Sequence, residues 1–202
     1  MISPFYWHPR ILRLHNRFIY GNKFRERYEV ISREIPDGYR VNDICAGDAY
    51  LYEVLKDRDI QYSAYDFNPQ FVRWLNRRGV DAKLFDLDKD PLPRGDCLVM
   101  QSSLNQFIPN HEAILQKFFT SEHKMIVLAE AVESFLTSSN PLLRKLAEIG
   151  GNTSSGKCVY RFDRSGMNEI FSKYRADKVI EVHRDLVGIF YLDNGKQKTS
   201  IS

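Results

Sequence analysis

Three small residues at alternate positions, Cys45, Gly47 and Ala49, lie in the stretch VNDICAGDAYLYEVL, between a short apolar run and a helical window. A turn of small residues lets the backbone approach a ligand closely, and the start of the helix that follows offers free N–H donors. The next apolar run, YSAYDF, leads to Asp66, 19 residues beyond Gly47. In open parallel sheets an acid about 20 residues past such a turn accepts hydrogen bonds from ribose hydroxyls. The pattern is that of a nucleotide-like cradle: little bulk in the turn, then an acid at the end of the neighbouring strand. Asp43, just ahead of the turn, is open to two readings, a ligand acid or a solvated or helix-capping one.

Few other residues are placed for chemistry. Glu130 falls at the end of the fifth apolar run and His111 in the first turn of a helical window. Both are candidates for a general base, although a histidine at such a position is also an ordinary surface residue. The segment GNTSSGKC, 151–158, nearly matches a phosphate loop. Cys158 replaces its metal-binding hydroxyl, and the segment follows a helix and precedes a strand, the reverse of the required order. It reads as a flexible loop. The five histidines and three cysteines (Cys45, Cys97, Cys158) show no metal-ligand spacing and no C-x-x-C, so no metal is expected. Cys97, at a strand start, reads as core.

The elements that must position these residues alternate. Strands are predicted at 40–45, 61–65, 82–85, 97–101, 124–129, 177–183 and 186–192. Helices are predicted at 10–20, 23–35, 49–57, 69–78, 110–120, 140–148 and 163–174. In the second helix Phe24, Tyr28, Ile31 and Ile35 form one apolar stripe. The 69–78 helix is punctuated by Asn68 as cap, Pro69 at the first position and Gly79 at the end, and Asn110 is placed to cap the next helix. Strand–helix alternation implies parallel crossovers and a doubly wound α/β sheet, here of seven strands. The last two strands lie too close for a helix between them and should form an antiparallel hairpin at one edge. The expected division is an N-terminal helical cap or lid at 1–39, a main domain at 40–193 and a flexible tail at 194–202.

With 202 residues and 43% hydrophobic content, the chain can bury one substantial core. No apolar run is long enough to span a membrane. The N-terminus lacks the apolar region of a secretory signal, and the scattered cysteines favour a reduced, cytoplasmic setting. The net charge of +3 is uneven. Residues 1–40 hold eight Lys or Arg against four acids. Such an excess could meet an anionic substrate, nucleic acid or a membrane surface; a solvated basic face is the plainer reading, and nucleic acid is not the expected partner. An aromatic group (Phe5, Tyr6, Trp7, Tyr20) is expected to close the pocket as part of a lid.

Two cofactor classes use such a turn. A dinucleotide loop, G-x-G-x-x-G, would fall on Cys45, Gly47 and Tyr50, and a tyrosine at its third position blocks helix–strand packing. The evenly spaced version, acid-x-G-x-G-x-G, stands here as DICAGDA, Asp43 to Ala49. In this the chain resembles the class I S-adenosylmethionine (SAM)-dependent methyltransferases over roughly residues 40–190. AYDFNPQFV resembles the family's second motif, and DAKLFDLDKDPLPRGDCLVMQSSLNQF its third strand, acid, linker and fourth strand. The resemblance implies SAM as cofactor and methyl transfer to a small-molecule acceptor. It implies that the backbone at Cys45, Ala46 and Gly47 faces the methionine part and that Asp66 holds the ribose. It lays Phe67 against the adenine, although by residue type Phe67 belongs in the core. Asp86 would accept from the adenine amino group, with Leu87 donating backbone N–H, although DLDKD offers several acids and also reads as a plain polar loop. Gln101 and Ser102 would sit beside the methyl group, and Arg25 or Arg27 of the basic arm is the expected partner of the cofactor carboxylate. The fourth strand ends in QSSLNQ rather than the Asn/Asp-Pro-Pro-aromatic tetrad of amino-group methyltransferases. The departures from glycine at Cys45 and Ala49 keep a non-catalytic binding module as the alternative. An NAD-dependent oxidoreductase is disfavoured by Tyr50.

Overall fold

A computed structural model describes residues 8–132, 152–153, 156–157 and 161–192. Five parallel strands come first: β1 (Arg40–Ile44), β2 (Gln61–Asp66), β3 (Ala82–Leu84), β4 (Cys97–Gln101) and β5 (Met125–Ala131). A two-residue hairpin follows, β6 (Asn152–Thr153) with β7 (Gly156–Lys157), where a plain loop was expected. β8 (Lys178–Val182) and β9 (Asp185–Tyr191) close the main sheet, whose order is β3-β2-β1-β4-β5-β9-β8. β9 runs antiparallel to both neighbours, inserted between β5 and the edge strand β8. The seven-stranded mixed sheet is therefore the one the strand–helix alternation predicts.

The central strands are apolar on both faces because helices cover both. Val41, Ile44, Cys97, Leu98, Val99, Met125, Ile126 and Val127 are fully buried. On one face lie α2 (Glu26–Glu34), α3 (Tyr50–Leu55) and α4 (Pro69–Asn76); on the other lie α5 (His111–Phe119) and α6 (Arg164–Lys173). The stripe of Phe24, Tyr28, Ile31 and Ile35 is buried against the sheet, so α2 is part of the core. α4 starts as its sequence dictates: the Asn68 side chain accepts from the Gln70 N–H, with Pro69 next. Asn110 occupies the cap position of α5, but its side chain makes no capping bond. α6 is capped by Asp163, which accepts from the Gly166 N–H.

The first helix, α1 (Pro9–Tyr20), begins at His8, whose imidazole accepts from the Arg10 N–H. It crosses over the turn that follows β1. The predicted helix at 140–148, the aromatic residues Phe5, Tyr6 and Trp7, and the tail at 194–202 lie outside the described residues.

Candidate active site

The turn after β1 takes an unusual path. Cys45, Gly47 and Ala49 all have left-handed backbone, with φ of +58°, +58° and +47°. The sequence places Ala49 in the first turn of a helix with ordinary helical φ; the structure corrects this, since α3 begins at Tyr50 and Ala49 is its left-handed cap. For a residue with a Cβ this conformation costs about 1–2 kcal/mol. The glycine-like demand therefore falls on all three alternate positions, and two are met without glycine.

Hydrogen bonds stitch the turn to the end of β2. Ala46 donates to the Tyr65 carbonyl at 3.1 Å, and Ala49 to the Ala46 carbonyl at 2.8 Å. Gly47 donates its N–H to Asp66 Oδ2 at 2.8 Å, and Asn68 donates to Oδ1 at 2.8 Å. Asp66 thus stands where the spacing predicts and also splints the two turns that flank the cradle. Burial pushes its carboxyl upward, opposed by these two N–H donors. Phe67, expected in the core, is 54% exposed beside it.

Acids gather around the turn. Asp43 is neither solvated nor a helix cap: it is buried and accepts from the Tyr62 hydroxyl. Burial, with Asp48 and Asp66 adding to it, pushes its carboxyl up to about 7. The same burial and neighbouring carboxylates hold the Cys45 thiol well above its ordinary value, so it stays neutral and packs as a small apolar group. Asp48 is paired: Arg13 donates from Nε to its Oδ2 at 2.6 Å and from Nη2 to its carbonyl at 2.9 Å. This pins α1 over the cradle. Leu12 Cδ2 would be 3.2 Å from any Cβ at Gly47.

Register places the remaining candidates alongside. Ile44 pairs with Met100, and Gln101 with Ala129, so Cys45 and Gln101 lie level at the ends of β1 and β4, one residue short of Glu130 on β5. Gln101 Nε2 is buried and has no hydrogen-bond partner among the described residues. Ser102 also has left-handed backbone, φ +54°, held by its N–H on the Ala129 carbonyl at 2.7 Å. Its Oγ accepts from Arg27 Nη2 at 2.7 Å. Arg27 donates from Nε to Asp185 Oδ2 at 2.7 Å, the Tyr20 hydroxyl donates to Oδ1 at 2.8 Å, and the guanidinium lies 3.9 Å from the Tyr20 ring centre. Tyr20 is therefore a buried anchor and not a pocket-closing aromatic. Asp185 is the member of this cluster that sequence reasoning missed. Arg27 was one of the two arginines expected near a cofactor carboxylate, and it turns inward because it falls in the register of the buried stripe, between Phe24 and Tyr28.

Glu130 is buried and accepts the Leu104 N–H at 2.6 Å, so it fixes the short turn Leu104–Phe107. Burial pushes its carboxyl up to about 7. His111 meets Phe162 edge-on at 5.2 Å, with its Nδ1 buried and unpartnered among the described residues. Asp86 lies in the turn after β3 with its carboxylate engaged, by Lys89 Nζ at 2.8 Å and the Asp88 N–H at 3.2 Å. The Leu87 side chain is buried, and its carbonyl accepts from Lys117 at 2.7 Å. Among the described residues no group of three His, Cys, Asp or Glu is placed to hold a metal.

No family model and no curated protein matches the chain. Solved structures do match in fold. The complex of the Haloferax volcanii Trm112 methyltransferase activator with a protein assigned as a methyltransferase aligns with a TM-score of 0.67 at 12% identity, over 95% of this chain and 98% of that one. Human N-acetylserotonin methyltransferase in complex with SAM aligns at 0.61 and 12% identity, over 91% of this chain and 55% of that one. A Rhodobacter sphaeroides chain assigned as a zinc-dependent alcohol dehydrogenase aligns at 0.62 and 14% identity, over 88% and 96%. Most of the similar structures are SAM-dependent methyltransferases. The sheet order and the inserted antiparallel β9 are those of the Rossmann-like class I methyltransferase fold.

Proposed function

We propose that the chain is a SAM-dependent methyltransferase acting on a small-molecule acceptor. The observation that carries this reading is the run of left-handed residues Cys45, Gly47 and Ala49, stitched to Asp66 at the carboxyl ends of the adjacent strands β1 and β2. β1 is also flanked by β4, so the turn lies at the switch point of the sheet, where ligands of open α/β folds bind. The residues fit a cation with a ribose: Asp43, Asp66 and Glu130 supply carboxylates, and Phe67 an exposed ring next to them. Tyr50 argues against a dinucleotide. It stands where a dinucleotide loop has its third glycine, and its ring is packed 4.5 Å from Phe24 and 4.8 Å from Tyr28.

Bound SAM would supply an electrophilic methyl group for transfer to an acceptor lone pair, with its thioether as the leaving group. The chain's own part is placement. Gln101 and Ser102, at the end of β4, would border the reacting centre, and the spare Gln101 Nε2 would hold an acceptor oxygen. Holding the reacting atoms about 3–3.5 Å apart and in line supplies much of the rate. Glu130 and His111 are the groups that would take an acceptor proton. Arg27, beside Ser102, would meet the cofactor carboxylate rather than Arg25, which is exposed and paired with Glu29 at 2.6 Å.

A second reading, a non-catalytic binding module, draws on the strain at Cys45 and on Leu12 lying against Gly47. Thermal shifts with SAM, its demethylated product and NAD separate the readings. SAM at 100 times its dissociation constant should stabilise by about 2.7 kcal/mol. A shift with NAD alone, or none with SAM at millimolar concentration, would overturn the proposal.

A further inference from the structure

We propose that the outward face of α1 docks on an anionic lipid surface. The inner face of the helix is committed to the protein through Leu12, Arg13 and Tyr20. The outer face carries Ile11, Leu14 and Phe18, which are 40%, 71% and 79% exposed. Spacings of three and four residues put them on one stripe. Arg10 and Arg17, both exposed, flank that stripe.

The charges select the partner. Of the basic side chains in residues 1–40, six are ion-paired: Arg13 with Asp48, Lys23 with Glu26, Arg25 and Arg33 with Glu29, Arg27 with Asp185, and Arg40 with Asp96. Arg10 and Arg17 make no ion pair among the described residues. Residues 1–20 contain no Asp or Glu at all. The exposed face is thus apolar and purely cationic. Three side chains along about 10 Å of helix fall short of the roughly 800 Å² per partner of a stable protein interface. They suit shallow insertion at the headgroup boundary, where apolar side chains enter and flanking arginines meet anionic lipids. Among the described residues no helix is long and apolar enough to cross a membrane. Docking would be peripheral, with the cradle on the far side of α1, one helix diameter from the lipid.

The test is co-sedimentation of the full chain with phosphatidylcholine vesicles, with and without phosphatidylserine. The unaltered chain should partition onto the anionic vesicles only, and less so as salt rises. Leu14→Asp/Phe18→Asp and Arg10→Glu/Arg17→Glu should each weaken partition at least about tenfold. Circular dichroism controls for folding, and Arg10→Gln/Arg17→Gln serves as the milder pair should the charge reversal perturb it. Failure to bind anionic vesicles, equal binding to neutral ones, or binding untouched by these variants would overturn the proposal. So would a dimer in analytical ultracentrifugation that the Leu14→Asp/Phe18→Asp pair abolishes, since a second copy would then cover the face. Thermal shift with SAM on the same variants should be unchanged, which keeps this outcome distinct from that of the cofactor proposal.

Discussion

Asp66 accepts the Gly47 N–H at 2.8 Å, so the cradle turn and the end of β2 form one hydrogen-bonded unit. The acid expected to hold a ribose therefore also holds the turn beneath it. Asp66→Ala should weaken SAM binding and lower stability together. Losing hydrogen bonds to a charged group costs about 1.5–3 kcal/mol, or roughly 10- to 150-fold in affinity. Calorimetric titration and urea unfolding measure the two effects. An affinity within threefold of the parent would show that Asp66 serves only the fold.

Cys45 and Ala49 should behave alike, because both sit at positive φ. Glycine there relieves about 1–2 kcal/mol of conformational strain and gives back about 0.5–1 kcal/mol in chain entropy. Cys45→Gly and Ala49→Gly should each leave stability equal or up to about 1.5 kcal/mol higher. Affinity for SAM should change by less than tenfold, about 1.4 kcal/mol. Gly47→Val should abolish binding, since a β-branched residue at φ +58° must also displace Leu12. If the parent binds no SAM and Cys45→Gly restores it, the turn is a disabled relic.

How much of this was legible follows from where the information sits. Period and punctuation placed β1 to β5, the closing hairpin and α4, because apolar runs and caps are local. Asp66 was legible for the same reason: a strand end and a residue count locate it. The left-handed Ala49 was not, since alanine favours helices and only the turn's hydrogen bonds to β2 impose another conformation. Arg13 on Asp48 and Arg27 on Asp185 join residues 35 and 158 positions apart, and no local pattern announces such pairs. Asp86 stands where motif order puts it, and its own turn also engages its carboxylate, through Lys89 and the Asp88 N–H.

Arg27 and Asp185 form a buried pair next to Ser102, with side chains 3% and 1% exposed. Arg27→Met alone should cost about 3–5 kcal/mol, because it leaves Asp185 a buried charge without its counter-ion, held only by the Tyr20 hydroxyl. Arg27→Met/Asp185→Asn should recover most of that stability, since no buried charge remains. If Arg27 meets the cofactor carboxylate, SAM affinity stays low in the double variant although the fold is restored. Titration of the stable double variant reads this directly, and parental affinity there would assign Arg27 to structure alone.

The buried acids set the last expectation, on pH. Asp43 rises from its ordinary 3.8 to about 7, and Glu130 from 4.5 to about 7, both chiefly through burial. A carboxyl raised in the folded state binds its proton more tightly than in the unfolded chain. Its stabilisation is complete below pH 3.8 for Asp43 and 4.5 for Glu130, declines as the unfolded chain ionises, and is gone above about 7. Asp96 works in another window. The Arg40 N–H and Lys124 hold it at about 2, so its contribution is present above 3.8 and lost as pH falls toward 2. Stability should therefore fall from mildly acidic to neutral pH, with each raised acid adding at most about 1.4 kcal/mol per pH unit. Asp43→Asn keeps an acceptor for the Tyr62 hydroxyl and removes the ionisation. Its urea midpoint should fall less steeply over that range than the parent's, and Glu130→Gln should flatten the profile in the same way. Parallel profiles for parent and both variants would mean that these carboxyls titrate as they do in the unfolded chain.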